Sequence, residues 1–175
     1  MKKREVILKG KDFVLRKPRL TDAESLYKYQ QDKEVKRNMM TIPKTLKETK
    51  REIKEMNLGR KGYIGEVFVI DINGEAVGVI SFGQTDKYNK TKVKVGYWIA
   101  KKFRGKGITT KALKLITNYA FKKYKLKRME GFCRTFNKAS ARVLKKAGYK
   151  FEGILRKNKF KNGKYLDDMI WAKIK

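Results

Sequence analysis

Residues 95–110 read Val95-Gly96-Tyr97-Trp98-Ile99-Ala100-Lys101-Lys102-Phe103-Arg104-Gly105-Lys106-Gly107-Ile108-Thr109-Thr110. The apolar, aromatic beginning predicts a strand, the middle forms a basic, glycine-rich turn, and an amphipathic helix follows without a linker. A helix that begins directly after such a turn presents unpaired backbone N–H groups and the positive end of its dipole. Arg104 and Lys106 add full positive charges, and Gly105 and Gly107 allow close approach of the backbone. The stretch therefore predicts a site for a group that carries phosphates.

Three β-rich segments precede this helix. Val67–Asp71 and Ala76–Gly83 are joined through Asn73-Gly74, a dipeptide typical of a tight antiparallel hairpin, and Lys92–Ala100 follows. These hairpins disfavour a dinucleotide-binding fold, which needs parallel strands. The turn also lacks the third glycine of the dinucleotide fingerprint.

The remaining segments alternate between helical and strand patterns. The predicted helices begin near Thr21, as an N-cap with Glu24 as its capping-box partner, and near Asp32, Thr45, Ile108 and Asn137. The other predicted strands are Phe13–Arg16, Met129–Arg134, Tyr149–Leu155 and Tyr165–Ile174, the last two around a turn at Asn162-Gly163. The pattern predicts one α/β domain over residues 1–175, with a mixed, mostly antiparallel sheet flanked by helices.

The composition is strongly basic. The chain has 47 Lys and Arg against 17 Asp and Glu, a formal net charge of +30, and no histidine. Such a field attracts polyanions, so association with the ribosome or RNA through the basic surface is one interpretation. A lysine-rich style of composition, with lysine filling exposed positions, is the other. The absence of histidine excludes histidine general bases and histidine metal ligands.

Few features of the sequence bear on where in the cell the protein is located. The single cysteine, Cys133, cannot form an internal disulfide and is expected to be a packed thiol. No apolar run approaches the length of about 20 residues that spans a bilayer, and the N-terminal residues lack the apolar core of a signal peptide. We therefore expect a soluble, cytoplasmic protein without a membrane partner.

Five short motifs occur in the order and spacing of one family: Gly96-Tyr97-Trp98-Ile99, Arg104-Gly105-Lys106-Gly107, Asn137-x-x-Ser140, Lys146-Ala147-Gly148-Tyr149 and Glu152-Gly153-x-x-Arg156. The chain resembles the GNAT N-acetyltransferases from Leu15 to its last strand. Within them it is most similar to the branch that acetylates the N-termini of ribosomal proteins. The resemblance implies acetyl-CoA-dependent transfer to a primary amine, foremost a protein N-terminal α-amine, in a ternary complex.

Other functions remain open beside this one. One alternative is a non-catalytic, ribosome- or nucleic-acid-associated protein of the same fold. A second is a polyamine or amino-acid N-acetyltransferase, but a net charge of +30 disfavours a polycationic substrate. The acceptor and the choice between monomer and homodimer are not decided by the sequence.

The resemblance also implies where acetyl-CoA binds as co-substrate, without a metal. In this family the strand that ends near Ile99 splays from the strand that begins near Met129, and pantetheine lies in the gap. The expected cofactor-binding residues are Trp98, Ile99 and Ala100 for pantetheine, Arg104, Gly105, Lys106, Gly107, Ile108, Thr109 and Thr110 for pyrophosphate, and Asn137, Lys145 and Lys146 for other parts of the cofactor.

The catalytic residues that the resemblance implies are fewer. Ser140 lies near the sulfur and is the candidate general acid for the departing thiolate. The tyrosine acid of many members aligns with Leu144, and the base carboxylate of ribosomal-protein-acetylating relatives aligns with Lys159, so both groups are absent. Glu130, acting through a water molecule, is the remaining candidate base, and an ion-paired structural role is its alternative.

Overall fold

The computed structural model describes residues 7–59 and 61–175, and its secondary structure alternates along the chain much as the patterns predict. The strands within these ranges are β1 (Leu8–Lys9), β2 (Val14–Arg16), β3 (Gly65–Ile72), β4 (Glu75–Gly83), β5 (Lys92–Ile99), β6 (Arg128–Arg134), β7 (Lys150–Lys161) and β8 (Lys164–Ile174). The α-helices are α1 (Ala23–Gln30), α2 (Lys33–Asn38), α3 (Leu46–Leu58), α4 (Ile108–Tyr124) and α5 (Lys138–Lys146). Short 3₁₀ turns occupy Leu20–Asp22 and Lys101–Phe103.

All the described strands belong to one sheet, in the order β1-β2-β3-β4-β5-β6-β8-β7. Every neighbouring pair is antiparallel except β5 and β6, which are parallel and are connected through α4. This parallel pairing runs only from Lys92 opposite Arg128 to Val95 opposite Gly131. Beyond that point the two strands diverge, so the mixed, mostly antiparallel sheet with splayed central strands is confirmed.

Alternating side chains of the central strands pack on opposite faces of the sheet, as the period of two along a strand requires. Phe68 and Ile70 of β3 join a core that includes Leu113 and Ile116 of α4. Val69, between them, joins the second core. That core also contains Val79 and Trp98 from the sheet and Ala23, Leu26, Val35 and Ile53 from the first three helices. The helices therefore cover both faces. None of them, within the described residues, is long and apolar enough to cross a membrane.

The predicted N-cap of the first helix was wrong, although helical structure does begin near Thr21. Thr21 lies inside the 3₁₀ turn rather than at an N-cap, because Asp22 takes over the capping role. The Asp22 carboxylate accepts a hydrogen bond of 2.7 Å from the backbone N–H of Arg19. The same carboxylate forms an ion pair with the buried guanidinium of Arg16. Arg16 Nε also donates to Asp71 Oδ2 on β3 at 2.6 Å. A long-range ion pair of this kind cannot be read from local capping patterns.

The other predicted caps, turns and strand ends agree with the structure in part. Asp32 and Thr45 do cap α2 and α3, through side-chain acceptors for backbone N–H groups. Asn73 and Gly74 turn the β3–β4 hairpin with φ values of 53° and 87°, the conformation that this dipeptide favours. The short strand β1 was not predicted, and β7 continues to Lys161 instead of ending at Leu155.

Glu66 of β3 is a buried carboxylate with several donors. Burial by itself would raise its pKa, but hydrogen bonds from Lys17, Tyr119, Lys123 and Tyr124 outweigh burial and lower the pKa to about 2. Because the folded-state pKa lies below the unfolded-state value, this contribution to stability is present above about pH 4.5 and is lost as the pH falls towards 2. We expect Glu66→Gln to lower the free energy of unfolding at pH 7 by about 2 kcal/mol.

Denaturant unfolding between pH 3 and 7 measures this effect. Glu55→Gln is the matched control, because Glu55 is exposed and its pair with Arg51 spans one helical turn at 3.7 Å, an arrangement that contributes little. The Glu66 variant should show a flatter dependence of stability on pH than the parent protein. Equal losses in both variants would contradict the assignment.

Candidate active site

The divergence of β5 and β6 opens a cleft of about 700 Å³ in the middle of the sheet. Its walls come from β5 and β6, from α2, from the turn before α4, from the first turn of α4 and from α5. The far end of the cleft reaches β7 and β8 through Leu155, Asn158, Lys159 and Asp168. Elements that are distant in the sequence therefore meet at the fork between two strands.

Most of the residues expected at a cofactor site line this cleft, and Ser140 lines it too. The expected cofactor residues found there are Trp98, Ile99, Arg104, Gly105, Gly107, Ile108, Thr109, Thr110, Asn137 and Lys146. Ala100, Lys106 and Lys145 are not among the lining residues. Ala100 is buried and its N–H donates to Val77 on β4 at 2.8 Å. Lys106 and Lys145 are exposed, and Lys106 lies over the Phe103 ring at 5.8 Å.

The backbone of β5 is well placed to bind an extended amide chain. Because Ala100 donates to Val77 on β4, the alternation of an antiparallel ladder turns the backbone groups of Trp98 the same way. The N–H and C=O groups of Tyr97 and Ile99 consequently face the gap that β6 leaves beyond Gly131. The Ile99 carbonyl accepts a hydrogen bond from Arg104 Nε at 3.2 Å.

The turn before α4 is shaped by two glycines with positive φ. Gly105 and Gly107 have φ values of 77° and 74°, a conformation that other residues adopt only at a cost. A Cβ at either position would meet no protein atom within 4 Å apart from those of its neighbours along the chain, so conformation rather than space within the protein requires glycine. Gly107 caps α4 without any side-chain hydrogen bond, and the first helical residues line the cleft. This geometry suits an anion.

The Arg104 side chain is committed to other partners in this structure. Its guanidinium pairs with Glu34 and Asp32 of the α2 N-terminal region. The structure therefore places Arg104 at the cleft, as expected, but as a link between the glycine turn and α2. The uncapped N–H groups of α4, rather than this guanidinium, are the free donors at that end.

Asn137 and Ser140 are held at the N-terminus of α5. The Asn137 carboxamide oxygen accepts from the Ser140 N–H at 3.1 Å, and its nitrogen donates to Asn38 Oδ1 at 2.9 Å. The Ser140 hydroxyl lies 2.9 Å from the hydroxyl of Tyr97 on β5. Burial raises the pKa of the Tyr97 phenol above its ordinary value, and the Ser140 contact offsets this only in part. The pair is thus two neutral hydroxyls at the fork.

Sequence reasoning did not identify Tyr97 as a partner of Ser140. The alternation along β5 provides a signal, because Trp98 packs on the face covered by α1 to α3 and its neighbour must face α5. Leu144, which aligns with the tyrosine acid of other family members, is buried against Gly131. Cys133 is buried as expected and lines the cleft near Ser140, and burial raises the pKa of its thiol to about 11.

Glu130 is not brought to the cleft. It lies opposite Lys94, in the part of the sheet where β5 and β6 are still paired. Its carboxylate is buried and accepts from Arg128 Nε at 2.8 Å, and Arg128 also pairs with Glu152. The physical reason is register: the strands separate only after Gly131. The structure therefore places Glu130 in an ion-pair network and not among the residues that line the cleft.

The carboxylates that do line the cleft are Glu34 and Asp168. Glu34 pairs with Arg104. Asp168 is buried, pairs with Arg134 and accepts from Asn158 Nδ2 at 2.7 Å. Both are thus neutralised by cations. Among the described residues, no group of three or more Cys, Asp or Glu side chains is arranged to hold a metal ion.

Comparisons with known proteins agree with this architecture. Residues 12–150 match the family model described as "Acetyltransferase (GNAT) domain". The ribosomal-protein-serine acetyltransferase of Escherichia coli is 33% identical over 117 residues, which cover 67% of this chain and 64% of that protein. The chain spans between about half and just under two thirds of the length of the first curated relatives it matches.

Solved structures share the fold along nearly the whole chain. RimL, the ribosomal L7/L12 α-N-protein acetyltransferase, superposes with a TM-score of 0.86 at 23% identity, over 98% of this chain and 95% of that one. The microcin C7 self-immunity acetyltransferase MccE, solved with acetyl-CoA and AMP, superposes with a TM-score of 0.85 at 24% identity, over 95% and 94%.

Proposed function

The chain belongs to the GNAT acetyltransferase family, and we propose that it transfers the acetyl group of acetyl-CoA to the α-amine of a protein N-terminus. The observation that carries this proposal is the cleft at the β5–β6 fork, which ends at the uncapped N-terminus of α4. Sequence similarity to the ribosomal-protein-serine acetyltransferase of Escherichia coli supports the same substrate class.

The residues of the cleft fit acetyl-CoA in two respects. The backbone of β5 at Tyr97 and Ile99, which has no partner strand beyond the β5–β6 fork, offers donors and acceptors to the amides of pantetheine. The N–H groups at the start of α4 offer a positive site to the pyrophosphate. Acetyl-CoA supplies the activated thioester carbonyl, and the protein supplies position and hydrogen bonds.

The reaction is a direct transfer between the two substrates. The acceptor nitrogen attacks the thioester carbonyl carbon, so that the N–C bond forms, the C–S bond breaks and the electron pair stays on sulfur. Ser140 donates its hydroxyl proton to the departing thiolate, and Tyr97 holds the Ser140 oxygen from behind. Ser140 regains a proton from solvent, and the acceptor nitrogen loses its own proton to solvent, which balances the exchange.

The state of the cleft carboxylates favours an α-amine over other amines. Glu34 and Asp168 are both paired with arginine and leave no unpaired carboxylate base among the described lining residues. An α-amine, with a pKa of about 8, is substantially neutral near physiological pH, whereas a lysine-like amine with a pKa of about 10.4 is not. An α-amine can therefore attack with water as the proton acceptor, while a polyamine would need a strong base.

Release of free thiol from acetyl-CoA, with peptides as acceptors, tests the proposal. We expect peptides with a free N-terminus to be acetylated, with kcat/KM rising towards pH 8 as the α-amine loses its proton. The same peptides with a blocked N-terminus and a free lysine should react at least about 10-fold more slowly at pH 7.5. Binding of CoA without acetylation of any amine would overturn the proposal.

A further inference from the structure

A second concavity, of about 1180 Å³, adjoins the cleft at Met39. Its floor is apolar and comes from the segment after α2 and from the β7–β8 hairpin region. Six cations line it, and we call this surface the basic groove: Lys33, Lys36, Arg37, Lys44, Lys161 and Lys164. Neither the established family membership nor the cleft chemistry accounts for this surface.

The basic groove is continuous with the cleft. Met39, at the end of α2, lines both. A chain whose first residue lies at Ser140 can therefore leave the cleft past Met39 and enter the groove. The groove is also held in shape, because the Lys161 ammonium on the hairpin donates to backbone carbonyls of Lys36 and Met39. This contact fastens the end of α2 to the hairpin.

Among the described residues that line the groove, every charged side chain is positive. No Asp or Glu lines it among the described residues, and the carboxylates on neighbouring segments have other partners. Glu34 pairs with Arg104, Glu48 accepts from the backbone of Lys44 at 2.7 Å, and Asp167 accepts from the backbone of Lys157 at 2.7 Å. No carboxylate stands among the six cations in the described lining of the groove, so the groove attracts negative side chains.

The same surface is less suited to RNA. Binding of single-stranded nucleic acid generally uses exposed aromatic rings on which bases stack. The aromatic residue of the groove is Phe136, and Arg37 already lies over its ring at 4.2 Å. An apolar floor with a cationic rim instead suits a polypeptide that combines acidic and apolar side chains.

We propose that the basic groove binds acidic residues that follow the N-terminal residue of the acceptor protein. The proposal rests on the proposed acetylation of protein N-termini and narrows its substrate class to acidic N-terminal segments. The groove then acts mainly on KM for the acceptor, because these contacts are the same in the ground state and in the transition state.

Three peptides that share the same first two residues test this substrate class. The next four positions carry acidic, neutral or basic residues, and KM is measured for each at low and at high salt. We expect the acidic peptide to have a KM about 5- to 10-fold below that of the neutral peptide at low salt. The difference should shrink at high salt, since exposed charges are screened.

Charge reversal separates the groove from the field of the whole protein. Lys36→Glu with Lys164→Glu lowers the net charge of the groove lining from +6 to +2 and should therefore remove most of the preference for the acidic peptide. The matched control is Lys114→Glu with Lys122→Glu, which makes the same change in net charge at exposed positions of α4. We expect the control variant to keep the preference of the parent protein.

Several results would overturn the proposal and leave acetylation of N-termini standing. These are equal KM values for the acidic and neutral peptides, an equal effect of both double variants, and a groove variant that loses RNA binding without any change in peptide KM. Turnover of the neutral peptide tests the acetylation itself. If no peptide turns over, binding of the labelled acidic peptide to both double variants decides the groove alone.

Discussion

Replacement of Ser140 by alanine is expected to lower kcat for acetyl transfer by about 50-fold, with less than about a twofold change in KM for acetyl-CoA. Ser140 and Tyr97 carry the two hydroxyls at the fork of the sheet, and we assign the protonation of the departing thiolate to Ser140, since Leu144 carries no polar group and the Cys133 thiol is buried. The interaction develops only as the C–S bond breaks, so its loss reduces turnover rather than binding. Steady-state kinetics with a saturating peptide measure it.

A second variant changes Tyr97, which we treat as a positioning residue that acts through Ser140. Tyr97→Phe removes the hydroxyl 2.9 Å from Ser140 Oγ and should lower kcat by about 10-fold. The double variant should be no slower than Ser140→Ala, because the two groups act as one chain. Titration of the thiol of bound CoA should show a raised pKa in both single variants, an effect that a merely structural role would not produce.

Tyr88→Phe is the control, since Tyr88 is an exposed tyrosine in the loop before β5. It should leave kcat and the thiol pKa unchanged. Additive losses in the Tyr97 and Ser140 double variant would contradict a shared chain. Unchanged turnover in Ser140→Ala would remove Ser140 from the reaction.

The parts of this molecule that sequence could predict are those whose signals are local. The strand, glycine turn and helix of Val95–Thr110 need only neighbouring residues, and so does the hairpin at Asn73 and Gly74. The motif resemblance then indicated where the sheet would fork. The divergence after Val95 and Gly131 confirmed this, because the parallel pairing stops there.

The parts that sequence missed depend on contacts between distant segments. The Tyr97–Ser140 pair joins residues 43 positions apart, and the Arg104–Glu34 pair joins residues 70 positions apart. From the sequence, Glu130 is the candidate base because it lies on the strand that borders the cleft, with an ion-paired structural role as the alternative. The register of β5 and β6 puts it on the paired side of the fork, beside Arg128. The register of a strand pair is not visible in a sequence pattern, and here it decides whether a side chain lines the cleft.

Gly107→Ala is expected to weaken the binding of acetyl-CoA by about 10-fold or more. The residue caps α4 with φ of 74°, and alanine either holds this conformation under strain or turns the first N–H groups of the helix away from the cleft. Apart from those of its neighbours along the chain, no protein atom lies within 4 Å of an added Cβ. Any further conflict must therefore come from the bound group. Isothermal titration with CoA measures the change.

Gly74→Ala is the control that separates a loss of CoA binding from the effect of backbone strain on stability. Gly74 has φ of 87° and equally open surroundings, but it lies in the β3–β4 hairpin away from the cleft. Both variants should lose similar stability, whereas only Gly107→Ala should lose affinity for CoA. S-acetylpantetheine, which lacks the pyrophosphate, should be used equally well by Gly107→Ala and the parent protein. A deficit with this short donor as large as the deficit with acetyl-CoA would mean that the turn does not bind the phosphates, and that Gly107 acts on the fork itself.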